Sequence, residues 1–325
     1  MSVSAIDEIK DWLPWKLLNH ATEPACSWLY TGDKSFTEPF FDDTISVCRR
    51  MENNCKSFKT VSSLSLMSEW ANAADALCPN AIIFHVSRCG STLLSQLLSL
   101  DEENIALSEV PFFDDLLRLP FKQKAYNHDM AADFLKAAIK LYGRKRTGNE
   151  KRLFIKTDSW HIHFYKSFRS LYPLVPFIFL YRNPCEIVLS QRRQRGMHAV
   201  PGVIEPAIFG FSSELAFQAD LDYYLTKVLE SYFKIMIEIV QADELVLLVN
   251  YNEGMSSSFK KMYALLGLEM SAKMEPLLNE RTLFHAKHPQ QLFKEENKKE
   301  MPPAYLSPVL DLYTRLDEIR ETKFK

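Results

Sequence analysis

From residue 79 onward, short apolar runs alternate with amphipathic stretches. Ala81–Val86, Ile105–Ser108, Leu153–Lys156, Phe177–Tyr181 and Leu245–Tyr251 read as strands, and helical periodicity follows them, as at Val110–Leu119, Pro184–Arg195 and Ser256–Leu266. Strands alternating with helices predict an α/β fold, a three-layer domain over residues 79–325 with a central parallel sheet flanked by helices. Ligands of such sheets lie beyond the carboxyl ends of the strands. Residues 1–78 read as a mixed N-terminal segment packed on the main domain. It holds a helix around Ile6–Leu18, an extended piece at Ser27–Tyr30 and a helix near Phe41–Met51. Phe36-Thr-Glu-Pro-Phe-Phe41 reads as a turn that packs aromatics onto the next domain. After Pro302 an amphipathic helix (Val309, Leu312, Tyr313, Leu316, Ile319) is expected to dock on the domain. The stretches around Lys122–Arg146 and Gly196–Phe217 read as loops.

Composition narrows the classes. Apolar residues make up 47% of the 325 and charged residues 25%, ordinary for a globular protein with a full core. A net charge of −2 gives no global basic field and no case for nucleic acid, so any anion site must be local. The six cysteines show no CxxC spacing and read as reduced thiols of a cytoplasmic protein. The longest apolar run, Leu174–Tyr181, is interrupted by Pro176 and too short to span a bilayer, so no membrane role is expected.

The candidate chemistry starts at the first of these strands. Ala81–Val86 feeds a short polar turn, Ser87-Arg88-Cys89-Gly90-Ser91-Thr92, and then the apolar helical run Leu93-Leu94-x-x-Leu97-Leu98. Strand, Gly/Ser/Thr loop and helix form the geometry of a phosphate loop, whose backbone N–H groups converge with the helix N-terminus on one anion. The Walker pattern is not met: Gly90 is followed by Ser91 with no lysine between, and the basic residue, Arg88, comes earlier. Cys89 is not followed six residues later by an arginine, which argues against a phosphatase loop.

A second strand–turn–helix motif follows. In Pro176-Phe-Ile-Phe-Leu-Tyr-Arg-Asn-Pro-Cys-Glu-Ile-Val-Leu-Ser190, Asn183 suits an N-cap, Pro184 the first helical position and Glu186 the first turn. Arg182 stands at the strand end and Ser190 two turns into the helix. An arginine fork and a hydroxyl suit a second phosphate, so the ligand carries two separated anionic groups.

Together these motifs resemble the sulfotransferase family, which uses 3′-phosphoadenosine-5′-phosphosulfate (PAPS), in the form of its carbohydrate and bacterial members. Ser87-Arg-Cys-Gly-Ser-Thr-Leu-Leu looks like the family's 5′-phosphosulfate loop, and Tyr181-Arg-Asn-Pro to Ser190 like its 3′-phosphate motif. Leu248-Val-Asn-Tyr-Asn-Glu253 is similar to a late strand and turn of the same family. The resemblance covers about residues 80–300 and implies a P-loop-type fold and a cofactor-binding set of Ser87, Arg88, Cys89, Gly90, Ser91, Thr92, Arg182 and Ser190. PAPS would be donor and adenosine-3′,5′-bisphosphate (PAP) product, with no metal required.

The resemblance also implies catalytic residues. Glu109, after Ile105–Ser108, looks like the glutamate base of carbohydrate and protein-tyrosine members, although Val110 stands where those often have proline. A carboxylate beside Pro111-Phe-Phe can be desolvated, raising its pKa. Ile155-Lys-Thr-Asp158 looks like the Lys-Thr-His segment of cytosolic members, in which the lysine stabilises the bridging oxygen. Lys156 keeps that place, and Asp158 replaces the histidine as an alternative base or as a cap. Nearby His161 and His163 read as substrate-contact or packing residues and His85 as a satisfied core residue; Arg192, Arg193 and Arg195 read either as a solvated helix end or, for Arg193 by its spacing, as a further contact to the 3′-phosphate. Arg281–Lys299, with His285, Lys287, Lys294 and Lys298, occupies the place of the family's basic loop without its Arg-Lys-Gly pattern. The expected acceptor is a small molecule or a carbohydrate, which no motif identifies further. Two other readings stay open: a P-loop kinase using Mg-ATP, and a non-catalytic PAP-binding protein.

Overall fold

The structure, a computed structural model, describes residues 9–18, 23–55, 59–270, 273–284, 286, 291–292 and 303–324. Eight strands are present among them: β1 (Trp12–Leu18), β2 (Ala25–Tyr30), β3 (Val61–Ser63), β4 (Pro79–His85), β5 (Asn104–Ser108), β6 (Arg152–Lys156), β7 (Phe177–Tyr181) and β8 (Val246–Asn250). β1, β2 and β3 make an antiparallel sheet, and the others make the expected central parallel sheet in the order β5–β6–β4–β7–β8. The helices are α1 (Phe41–Cys48), α2 (Leu64–Ala73), α3 (Ser91–Leu98), α4 (Pro111–Lys122), α5 (His128–Tyr142), α6 (Tyr165–Leu171), α7 (Pro184–Arg193), α8 (Leu221–Ala242), α9 (Met255–Leu265), α10 (Met274–Thr282) and α11 (Ser307–Lys323). The five central strands fall within two residues of the expected ones at either end. Their central positions are apolar because both faces of such a sheet are covered, and their polar residues stand toward the strand ends. β7 and β8 are buried at every position.

The chain divides into two compact units. The first takes residues 1–81, 95–156 and 167–173. Its centre is Tyr142 of α5, fully buried, in ring contact with Phe41 and Phe113 and donating its hydroxyl to the carbonyl of Pro14 at 2.6 Å. In the Phe36–Phe41 turn, Phe36 meets Phe41 edge-on and lies under the guanidinium of Arg146 at 4.2 Å, all within this unit.

Two expectations are corrected in this unit. The run read as a helix at Ile6–Leu18 is strand β1 over its second half, while Ile6 to Glu8 lie outside the described residues. Pro14 explains the difference, since it cannot donate a helical hydrogen bond. The β1–β2 register shifts between Pro14 and Lys16, where a strand accommodates an extra residue. The stretch Lys122–Arg146, read as a loop, contains α5. Asn127 caps that helix by accepting from the Met130 N–H at 2.8 Å, and Ala131, Leu135, Ala138 and Tyr142 form its buried stripe.

The second unit takes residues 82–94, 157–166 and 174–325. Its longest helix is α8, 22 residues capped by Asp220 and unassigned from the sequence. α11 packs on α8, as a docking helix should, through buried Val309 and Leu316. Gly196–Phe217 holds only short turns, at Met197–Ala199, Pro206–Phe209 and Ser213–Ala216. Among the described residues no helix is long and apolar enough to cross a membrane.

Candidate functional site

The turn after β4 is built against the backbone's preferences. Ser87 (φ 66°), Arg88 (φ 51°) and Glu109 (φ 53°) are the non-glycine residues with positive φ among the described residues. Left-handed backbone costs a side-chain-bearing residue about 1–2 kcal/mol and is kept where its surroundings enforce it. At Ser87 two side chains do so. His85, almost fully buried, accepts the Ser87 N–H on Nδ1 at 3.0 Å and donates from Nε2 to the Thr157 carbonyl at 2.9 Å, which fixes its neutral tautomer. Gln191 of α7, fully buried, donates from Nε2 to Ser87 Oγ at 3.0 Å and accepts the Gly196 N–H at 2.7 Å. At Arg88 the carbonyl accepts from Arg182 Nη1 at 3.3 Å, and the guanidinium donates to the Gln194 carbonyl.

The rest of the turn is equally constrained. Cys89 is fully buried and directs its thiol to the Leu180 carbonyl at 3.5 Å, so its side chain anchors the loop to β7. Gly90 has φ 80°, and a Cβ there would lie 2.7 Å from Met255 Sδ and 3.0 Å from Tyr251 Cδ2. Glycine is required twice over, by conformation and by the close approach of Tyr251. α3 then begins at Ser91, with Ser91 buried and Thr92 half-buried at its first turn. The first N–H groups of a helix have no partner within it and carry the positive end of its dipole.

The second motif forms as its residues imply. Asn183 caps α7 by accepting the Cys185 N–H at 2.9 Å, with Pro184 in the first turn. Arg182 donates from Nε to Glu186 at 2.5 Å, and its guanidinium lies 4.0 Å from the centre of the Tyr251 ring. Together with its bond to Arg88, this ties the two motifs to one side chain. Ser190 is half-buried on α7, next to Gln191. Arg192 is exposed at the end of α7, as a solvated helix end would be, and Arg192 and Arg195 both pair with Asp222 of α8, at 2.7 and 2.5 Å. Arg193 is exposed.

In the first unit, β5 and β6 put Ser108 opposite Lys156. The Lys156 side chain is fully buried; its ammonium pairs with Glu109, donates to Ser108 Oγ at 3.1 Å and lies 5.4 Å from the centre of the Phe40 ring. The Ser108 hydroxyl donates a hydrogen bond to the Pro39 carbonyl at 2.8 Å, and the Glu109 N–H donates to the Lys156 carbonyl at 2.8 Å. The desolvated carboxyl expected at Glu109 is instead an ion-paired one with 22% of its side chain exposed.

Asp158, in the second unit, caps the turn Ser159–Phe164, and His161 reciprocates by accepting the Asp158 N–H at 3.3 Å. His163 contacts Ser231 Oγ at 3.2 Å, and burial pushes its pKa down to about 4, so the ring is neutral. Of the basic segment, Arg281 bonds the carbonyls of Phe284 and Ala286; His285, Lys287, Lys294 and Lys298 lie outside the described residues.

The sequence missed Gln191, Tyr251 and Met255, and read His85 only as core. Gln191 carried one signal: an amide on the inward face of a helix whose neighbours, Ile187 and Val188, are apolar. Tyr251 lies in the family-like turn Leu248–Glu253, but no local signal in it or around Met255 shows that the two fill the space in front of Gly90.

A five-stranded parallel sheet flanked by helices, with a strained turn leading from β4 into a helix, defines the class as an α/β domain. Its fold is that of a sulfotransferase domain. The chain is similar to the sulfotransferase domain from the curacin biosynthetic pathway, with 13% identity over 75% of this chain and 99% of that one and a TM-score of 0.50. It also aligns with sulfotransferase STF9 from Mycobacterium avium, at 14% identity over 87% and 83% of the two chains and a TM-score of 0.49. A further match is the sulfotransferase domain from the Synechococcus PCC 7002 olefin synthase, at 13% identity over 75% and 96% and a TM-score of 0.46. No model of a protein family matches the chain, and neither does any curated protein.

Proposed function

We propose that the protein is a PAPS-dependent sulfotransferase that moves a sulfuryl group to a hydroxyl or amine of a small-molecule or carbohydrate acceptor. The observation that carries this reading is Arg182, whose guanidinium bonds the carbonyl of Arg88 at 3.3 Å, so that two anion motifs 94 residues apart meet at one side chain. A donor with two separated phosphates needs such a pair of adjacent anion sites; a lone phosphate needs one.

In this reading the 5′-phosphosulfate is held by the N–H groups of Cys89 to Thr92, the hydroxyls of Ser87, Ser91 and Thr92, and Arg88. Arg182 and Ser190 take the 3′-phosphate. The acceptor oxygen attacks sulfur, the bond from sulfur to the bridging oxygen breaks, and the electron pair leaves with PAP. Glu109 takes the acceptor's proton, and Lys156 stabilises the charge that grows on the bridging oxygen. Asp158 already serves as a cap, which favours Glu109 over it.

A ligand that binds only the folded state raises its stability by mass action. PAP should raise the thermal midpoint, and labelled PAPS with an acceptor library should yield a sulfated product. A midpoint raised by Mg-ATP and not by PAP would overturn the reading. Binding of PAP without turnover on any acceptor, with Glu109→Ala and Asp158→Ala behaving as wild type, would leave a binding protein in place of an enzyme.

A further inference from the structure

Tyr181 and Asn250 are register partners at the carboxyl ends of β7 and β8. The residues that follow them, Arg182 and Tyr251, are the pair in cation–π contact. Both register partners are buried, and both direct their polar side-chain atoms to one place: Oδ1 of Asp317, on the C-terminal helix α11. The Tyr181 hydroxyl donates to that oxygen at 2.5 Å, Asn250 Nδ2 at 2.9 Å and Arg320 Nε at 2.8 Å. Arg320 also donates to the Tyr181 hydroxyl at 3.0 Å, and Asn250 to the Tyr313 hydroxyl at 3.0 Å.

The same cluster fixes the turn that carries Tyr251. Asn250 and Glu253 form a reciprocal cap over Tyr251–Glu253, with the Asn250 N–H on Glu253 Oε1 at 3.0 Å. Arg320 reaches that carboxylate at 3.4 Å and Lys261 reaches its other oxygen at 3.2 Å. Burial works against ionisation of Asp317, yet its bonds from Arg320, Tyr181 and Asn250 hold its carboxyl below the ordinary range. A charged acceptor with three donors, two of them from opposite positions on adjacent strands, locks the relative height of those strand ends.

We propose that Asp317 and Arg320 are positioning residues for the site of the 3′-phosphate, fixing Arg182 and Tyr251 through Tyr181 and Asn250. The inference rests on the proposed function, because it assigns the C-terminal helix to one anionic group of that donor. α11 then does more than cover apolar surface. Its Val309 and Leu316 pack it on the domain, while Asp317 and Arg320 set the aim of an arginine that they do not touch.

The test compares two ligands that differ by that one group, PAP and adenosine 5′-monophosphate, on wild type, Asp317→Asn and Tyr181→Phe. Dissociation constants come from calorimetry and thermal midpoints from the same preparations. The wild type should prefer PAP, and each variant should lose about tenfold of that preference through weaker PAP binding, with affinity for the monophosphate unchanged. Asp317→Glu should restore part of it. A merely structural role would lower the midpoint and weaken both ligands together, and that result overturns the inference. So does a wild-type preference retained in both variants. A wild type that does not prefer PAP overturns the proposed function and this inference with it.

Discussion

Lys156 and Glu109 form an ion pair in which the lysine side chain is fully buried and the carboxylate is 22% exposed. That asymmetry predicts unequal costs. Glu109→Gln leaves a buried ammonium without its counter-charge and should destabilise the fold by roughly 1–3 kcal/mol, discounted for the exposure of the carboxylate. Lys156→Met removes the buried charge itself and should cost less. The double variant should recover most of the stability lost in Glu109→Gln, as read from urea unfolding. Turnover should stay about 10²–10⁴-fold down in Glu109→Gln and in the double variant if Glu109 is the base, and should fall in Lys156→Met if Lys156 stabilises the bridging oxygen. A double variant no more stable than Glu109→Gln would show that the buried charge is not what makes the single change costly.

Gly90 predicts a local lesion. Gly90→Ala puts a Cβ into left-handed backbone, 2.7 Å from the thioether of Met255 and 3.0 Å from the ring of Tyr251. The methionine can swing aside, but the ring lies against Arg182. The expected loss is about 1–2 kcal/mol of stability together with weaker PAP binding. Adding Met255→Ala should return part of the stability and none of the backbone cost. Equal stability of Gly90→Ala and wild type in denaturant melts would refute the strain argument.

Gln191 tests whether the strained turn is held from α7. Gln191→Leu nearly conserves volume, removes the bond to Ser87 Oγ and orphans the Gly196 N–H, a cost of about 1–3 kcal/mol. If Gln191 supports only the core, PAP affinity measured well below the melting temperature should not change. The expected outcome is a weaker affinity, because Ser87 is then free to leave the left-handed region. Gln191→Asn shortens the side chain, so that its amide reaches neither Ser87 Oγ nor the Gly196 N–H. It should therefore weaken PAP binding as much as Gln191→Leu does.

The parts of the fold and site that were legible in the sequence are those whose signal is local. The five central strands were visible as apolar runs because both faces of a parallel sheet are covered. The caps Asn183 and Pro184 were visible because a helix N-terminus asks for particular residue types. The first strand is ambiguous in the sequence because apolar residues from Trp12 to Leu18 fit either period, and only Pro14 decides against a helix. α5 was hidden by its polar face, although Ala131, Leu135 and Ala138 carry a helical spacing. The polar face of α11 was illegible for another reason. Asp317 and Arg320 look like ordinary solvated charges, and only the pairing of β7 with β8 brings Tyr181 and Asn250 to one oxygen. Lys156 and Glu109 were each singled out from family likeness, but their pairing depends on the β5–β6 register, which no short motif encodes.

His163 gives the fold a dependence on acid. Burial lowers its pKa from the ordinary 6.5 to about 4, so the folded protein holds the ring neutral where the unfolded chain would already be protonated. The unfolded state binds the extra proton below pH 6.5, so stability is fully present above that pH. It falls as the pH drops from 6.5 toward 4 and levels off below. Over the whole window the loss from this one group is up to about 3 kcal/mol. Its ring packs against Phe209 and Tyr232, with Ser231 as its polar contact, so His163→Gln keeps a polar group at the site and removes the titration. Unfolding free energies measured at pH 7 and pH 5 should differ less in His163→Gln than in wild type. An unchanged difference would assign the acid sensitivity to other groups and show that His163 is protonated in the folded protein near its ordinary pKa.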